Sequence, residues 1–202
     1  MRPAAWKVLS VVTLSLVILS SLSTPSYAAG GYGPGEPGLP GVPGGFERDV
    51  RIVKTIGLSG GQLSTTLANK VGIKLTVPPA AFVSLVQVAV TAPPFSELSS
   101  MLPKLGFRAY SPVTGFGLFF SNPNNGKPLK GNFAKPVTVV LRGPDLGVPG
   151  EKVLELTSAT SAEVLATVLS KGTATFSLQS DPDLLVVNPI NHRGRPVNHR
   201  GR

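Results

Sequence analysis

The sequence predicts an all-β fold, an antiparallel β-sandwich of the Ig-like or Greek-key type with one short helical turn. Two observations carry that expectation. From Phe46 onward, short runs rich in Val, Ile, Leu, Phe and Thr alternate with clusters of Gly, Pro, Asn and Ser, the texture of strands divided by turns. One of these runs alternates strictly, with Val71, Ile73, Leu75 and Val77 on one face and Lys74 and Thr76 on the other, as a strand with one buried side requires. A barrel is the alternative that the strand pattern leaves open.

The first 28 residues are read apart from the fold. Arg2 and Lys7 are followed by an uncharged stretch from Val8 to Leu22 and then by Thr24-Pro25-Ser26-Tyr27-Ala28. A basic start, an apolar middle and small residues before a cut after Ala28 make a secretory signal peptide. The apolar stretch is shorter than the roughly 20 residues of a membrane-spanning helix. The expected product is therefore secreted and soluble, with no membrane span after cleavage. The chain has 0 cysteines, which excludes disulfides, thiolate metal sites and a lipidated N-terminal cysteine.

Residues 29–46 form a Gly/Pro-rich linker in which Gly35-Glu36-Pro37, Gly38-Leu39-Pro40 and Gly41-Val42-Pro43 repeat a collagen-like triplet. Three triplets are too few for a triple helix, so a flexible, extended spacer is expected. Residues 47–188 are the expected sandwich domain, and 189–202 a disordered basic tail. Charge follows the same division. Of the net +9, Arg2 and Lys7 account for two charges and the four tail arginines for four, leaving the body at +3.

Within the body the expected strands follow in order. Val50–Ile56 mixes charged and branched residues, and Gly60-Gly61 marks a turn. Val71–Val77 ends at Pro78-Pro79, since proline has no N–H to give a ladder. Leu85–Thr91 places Val86, Val88 and Val90 inward and stops at Pro93-Pro94. Phe95, Leu98 and Leu102 have helical spacing, which predicts a helical turn over Phe95–Leu102, halted by Pro103. Phe107–Tyr110 and Gly117–Phe120 are expected as two strands. Asn122–Gly126 is turn chemistry, and Pro136–Leu141 is the next strand. Lys152–Leu156, Glu163–Leu169, Thr173–Leu178 and Leu184–Val187 then read as a meander, with Lys171-Gly172 as a hairpin turn. Ala162–Ser170 has some helical character through its Leu and Ala, but the hairpin signal favours a strand. The total is eight to ten short strands, as in sandwiches.

Three segments, Gly72–Phe82 (GIKLTVPPAAF), Val86–Pro93 (VQVAVTAP) and Gly131–Leu141 (GNFAKPVTVVL), together resemble the β-sandwich domain shared by zona occludens proteins, netrin receptors and ankyrins, which also occurs in secreted bacterial proteins. The resemblance spans roughly residues 50–188. It implies a sandwich fold and an adhesive, scaffolding or interaction role. Some members of that family cleave themselves at His-Phe-Ser; the matching region here, Ser180-Asp181-Pro182-Asp183-Leu184, has neither the histidine nor that serine, so autoproteolysis is not implied. The residues themselves agree with the fold. Pro78-Pro79 fixes an extended exit from a strand, while Phe82 and Phe133 are candidate core anchors.

Candidate sites are few. A Ser-His-Asp arrangement needs a histidine held by the fold, and the only two, His192 and His199, lie in the tail. The acids sit mostly beside turns, as ordinary solvated or capping groups. Asp181-Pro182-Asp183 is the nearest to a cluster, well short of the six to eight oxygens calcium takes. Gly57-Leu58-Ser59-Gly60-Gly61 lacks the Lys-Ser/Thr of a phosphate loop. No catalytic, cofactor-binding or metal residue is assigned, no cofactor is expected, and an enzyme is not expected. Tyr110, Phe116, Phe119 and Phe120 suit a core better than a sugar-binding face.

The tail is the most distinctive stretch. Asn191-His192-Arg193-Gly194-Arg195 repeats as Asn198-His199-Arg200-Gly201-Arg202. Arginine forks pair with phosphate and carboxylate, so His192, Arg193, Arg195, His199, Arg200 and Arg202 are the candidate polyanion-binding residues. A disordered end without a role is the preferred reading. The expectation for the whole is a secreted, non-enzymatic interaction or structural module at the cell surface or beyond it. Its expected partner is a cell-envelope polymer or another extracellular protein rather than nucleic acid. The alternative is a polyanion-binding protein acting through the tail.

Overall fold

The computed structural model describes residues 50–129, 132–180 and 182–190. Eleven strands lie among them. The first five are β1 (Val50–Ile56), β2 (Gly61–Thr66), β3 (Gly72–Val77), β4 (Val86–Thr91) and β5 (Tyr110–Ser121). The rest are β6 (Val137–Arg142), β7 (Lys152–Ser158), β8 (Ser161–Val164), β9 (Val168–Ser170), β10 (Thr173–Leu178) and β11 (Asp183–Pro189). A single α-helix among the described residues, α1 (Phe95–Met101), lies between β4 and β5. Two antiparallel sheets result, one in the order β1-β4-β5-β11-β7-β8 and the other β2-β3-β6-β10-β9. Their inner faces share one apolar core. The fold is thus a sandwich and not a barrel.

The alternating run behaves as its periodicity requires. Val71, Ile73, Leu75 and Val77 are all buried, as are Val86, Val88 and Val90 of β4. Phe82, just after Pro78-Pro79, is buried against Phe120 and Phe133, with ring centroids 5.7 and 5.2 Å away.

The helix adds a layer outside the six-stranded sheet. Leu98, Met101 and Leu102 pack with Leu154, Leu156, Leu185 and Val187, which point away from the inter-sheet core. That is why Leu184–Val187 is an unbroken apolar run: this strand is covered on both faces. Gly115 lies under the helix, and a Cβ there would stand 2.6 Å from Leu98 Cδ2.

Three expectations are corrected. Phe107–Tyr110 and Gly117–Phe120 are not two strands; a single 12-residue strand runs from Tyr110 to Ser121, and Phe107 precedes it with its ring edge-on to Tyr110. The apparent breakers have local causes. Gly115 makes room for the helix, while Pro112 sits where the β5–β11 register shifts past Val113, a bulge that tolerates proline inside a sheet. Glu163–Leu169 is not one strand but two in different sheets, β8 and β9, with Leu165–Thr167 crossing between them. Leu165 N donates to Val153 O as it crosses. Finally, Gly61 opens a strand that the composition does not announce: β2 is an edge strand in which Leu63 alone is buried.

Because all neighbouring strands are antiparallel, the connections fall at two ends. β1 begins and β11 finishes at the proximal end, together with the β2–β3, β4–β5, β6–β7 and β9–β10 connections. The distal end carries the β1–β2 turn, the 78–85 loop, the β5–β6 connection, the β7–β8 turn and the β10–β11 connection.

Candidate functional site

At the distal end, three segments are tied into one cluster. The Gly57–Gly60 turn is closed by Gly60 N donating to Gly57 O at 3.0 Å. Gly60 has φ +72°, and a Cβ on it would lie 2.3 Å from Val77 O, so only glycine lets this turn press on the end of β3. The 78–85 loop answers with Ala80 in the left-handed region, φ +59°, an uncommon conformation for a residue with a Cβ. There Ala80 N donates to Leu58 O at 2.8 Å. The β5–β6 connection closes the group: Ala134 N donates to Ala81 O at 3.0 Å, Phe133 N to Gln179 O at 2.7 Å, and Lys135 Nζ to Pro79 O at 2.9 Å.

The aromatic trio Phe82, Phe120 and Phe133 underpins the cluster, with Phe120 and Phe133 centroids 4.6 Å apart. With Phe82 pulled inward, the next residues are lifted outward. Val83 is 91 % exposed, Leu85 57 % and Leu58 60 %. Leu85 Cδ2 lies 3.3 Å from the position a Gly57 Cβ would take, which sets it over the residue before Leu58. Single exposed aliphatics are ordinary on any surface; neighbours held together at one tip make a patch with the chemistry of a contact surface.

A second polar feature lies inside the proximal end. Glu151 and Asn188 are 6 % and 1 % exposed. The β7–β11 register pairs Val187 with Lys152, so one step further Asn188 faces Glu151 on the inward side. Both reach the same turn: Gly147 N donates to Glu151 Oε2 at 2.7 Å, and Asn188 Nδ2 donates to Asp145 O at 2.7 Å. Glu151 Oε1 and Asn188 Oδ1 have no hydrogen-bond partner; nor does Thr114 Oγ1, on β5 opposite Val186. Burial raises the Glu151 pKa to about 7, against the lowering effect of backbone hydrogen bonds from Gly147 and Val148. With one carboxylate oxygen left without a partner, burial favours the protonated, neutral carboxyl.

Glu155 and Glu163 face each other directly across β7 and β8. The Glu155 pKa is raised by burial and, secondarily, by the Glu163 charge. Among the described residues no group of three or more His, Cys, Asp or Glu side chains is placed to hold a metal ion. No helix among them is long and apolar enough to cross a membrane.

The sequence-derived candidates divide as follows. His192, Arg193, Arg195, His199, Arg200 and Arg202 lie outside the described residues, as do the signal segment, the Gly/Pro-rich linker and Asp181. Phe116 and Phe120 are buried in the inter-sheet core, whereas Tyr110 packs on Phe107 with Lys152 Nζ 6.0 Å from its ring centroid. Two features escaped the sequence reading. Glu151 was expected to be a solvated turn carboxylate and is buried instead. Its signal was slight: Gly147 and Gly150 precede it, both with positive φ, and the turn they make brings Gly147 N to its carboxylate. Leu85 was expected to open a strand that begins at Val86. With Val86 facing the core, Leu85 falls on the outward parity, the one sequence hint of the distal patch.

No protein-family model matches the chain, and no curated protein shows significant similarity to it. The likeness to the domain of zona occludens proteins, netrin receptors and ankyrins therefore rests on the three motif segments alone.

Proposed function

We propose that the chain is a secreted, non-enzymatic β-sandwich that works as an interaction module at the cell surface or beyond it, and that its contact face is the distal loop cluster. The observation that supports this reading is the exposure of Leu58, Val83 and Leu85 on loops that are cross-tied by backbone hydrogen bonds and carry a left-handed alanine. Strain of this kind persists only where surrounding structure enforces it, and preformed loops lose little conformational freedom when they meet a partner. The layout is consistent with presentation. The chain enters β1 and leaves β11 at the proximal end, and the Gly/Pro composition of residues 29–46 suits a spacer. The motif resemblance supports the same interaction role.

The test is cosedimentation of residues 29–202 with isolated cell envelopes at low and high salt. Salt-resistant binding that is lost when Leu58, Val83 and Leu85 are all changed to Ser supports the distal face; binding indifferent to those changes refutes it. The second reading, a polyanion-binding arm, is favoured by four arginines without an acid in residues 191–202. It predicts steep salt dependence and loss of binding on removing those residues. The cut belongs after Ile190, whose N–H donates to Ala109 O.

A further inference from the structure

Resting on that reading of the distal face, we propose that the surface it meets is an anionic lipid bilayer, with Val83, Leu85 and Leu58 entering the boundary between headgroups and acyl chains and Lys127 and Lys135 lying at the phosphates. The placement of charge is the first argument. Segments 57–60, 78–85, 121–129 and 132–136 contain no Asp or Glu, while the last two contain Lys127 and Lys135. Lys135 is fastened to the aliphatic loop through Pro79 O. Lys127 sits across the end of β5 from that loop: β4 holds one edge of β5, with Gln87 opposite Ser121, and the returning segment holds the other, with Lys127 O accepting from Asn122 N at 2.9 Å. Asp183, the first residue of β11, pairs with Gly117, four residues short of the end of β5 at Ser121.

Size and residue type are the second argument. A stable protein–protein interface takes about 20–30 residues a side, with Trp, Tyr and Arg at its energetic centre. The distal tip offers three aliphatic side chains and none of those three residue types. A sugar-binding face needs exposed aromatic rings, but here Phe82 and Phe133 pack on each other and on Phe120 beneath the tip. A bilayer interface asks for less: a few aliphatic side chains to insert and lysines whose stems reach along the insertion to anionic headgroups. A small aliphatic tip on acid-free loops that carry lysines has that form.

The test uses residues 29–202 and vesicles of phosphatidylcholine alone or mixed with phosphatidylglycerol. Trp6 is the only tryptophan of the chain, so Val83→Trp makes the secreted form report from the tip alone. Its emission is expected to shift to the blue on mixed vesicles. Binding to mixed vesicles should fall about tenfold or more in Val83→Asp, with an unchanged thermal midpoint showing that the fold is intact. A chain ending at Ile190 should keep the blue shift even if its overall binding weakens. Absence of the shift, or binding that Val83→Asp leaves alone, overturns the lipid assignment. If vesicles are ignored while envelope binding still depends on the three aliphatics, the contact face stands and its partner is a protein or polymer. If neither assay responds to the tip, both readings fall.

Discussion

Replacing Glu151 by Gln tests whether the buried carboxyl is held in its protonated form. The glutamine keeps the shape, accepts from Gly147 N through its carbonyl, and is neutral at every pH. For the wild type, the folded pKa is raised, from 4.5 to about 7. The folded state therefore holds the proton more tightly than the unfolded chain. The resulting stability is complete below pH 4.5, declines as pH rises to about 7, and is constant above. A difference of about 2.5 between the two values, at ~1.4 kcal/mol per pH unit, sets a ceiling of about 3.5 kcal/mol. Denaturant unfolding of residues 29–202 at about pH 4, 6 and 8 reads the effect. The wild type should lose up to about 3 kcal/mol more than Glu151→Gln across that range, and the variant should be the more stable at the alkaline end. Glu155 shifts in the same direction but is common to both proteins and cancels in the comparison. Parallel stability curves, or a variant weaker than wild type at about pH 8, would show that Glu151 is charged in the fold and that the argument from the orphaned carboxylate oxygen is wrong.

Gly147→Ala should cost at least about 2–4 kcal/mol or prevent folding, measured by thermal unfolding, because its Cβ would fall 1.8 Å from Ser170 O at φ +75°. Phe82→Ala should cost about 3–5 kcal/mol in denaturant unfolding, since it removes the ring on which Phe120 and Phe133 lean. Glu163→Gln should stabilise by roughly 0.2–1 kcal/mol near pH 7 and lower the Glu155 pKa in an NMR titration, since it removes the like charge directly across from Glu155.

Legibility in the sequence followed how one-sided each environment is. The run ending at Val77 and the inward valines of β4 have core on one face and a polar face opposite, so alternation alone placed them. Asn122–Gly126 was readable because its turn uses local chemistry, with Asn124 N and Lys127 N donating to the side chains of Asn122 and Asn125. Strands whose environment is not one-sided were harder. β11 is covered twice and β2 buries little, so neither alternates. The division between β8 and β9 depends on which sheet each strand joins, a long-range fact that leaves little local trace. The distal patch was obscure for a related reason. Phe82 and Val83 are adjacent and both apolar, yet one is the floor of the cluster and the other its tip. Only the pairing of Ala80 with Leu58 and of Ala134 with Ala81 decides which is which.

The flanks of the sandwich bear on aggregation. Each sheet has two edge strands, β1 and β8 in one, β2 and β9 in the other. On one flank β1 turns straight into β2, with Lys54 Nζ reaching across to Gln62 O at 2.8 Å. On the other, β8 passes into β9 through three residues. Every edge is thus half of a continuous ribbon folded over the side of the molecule, and peeling it from one sheet pulls on the other. β8 and β9 are also short, with 4 and 3 residues, which leaves little ladder for a foreign strand to extend. A chain with no cysteine to lock its flanks can in this way resist cross-β growth through connectivity and short edges.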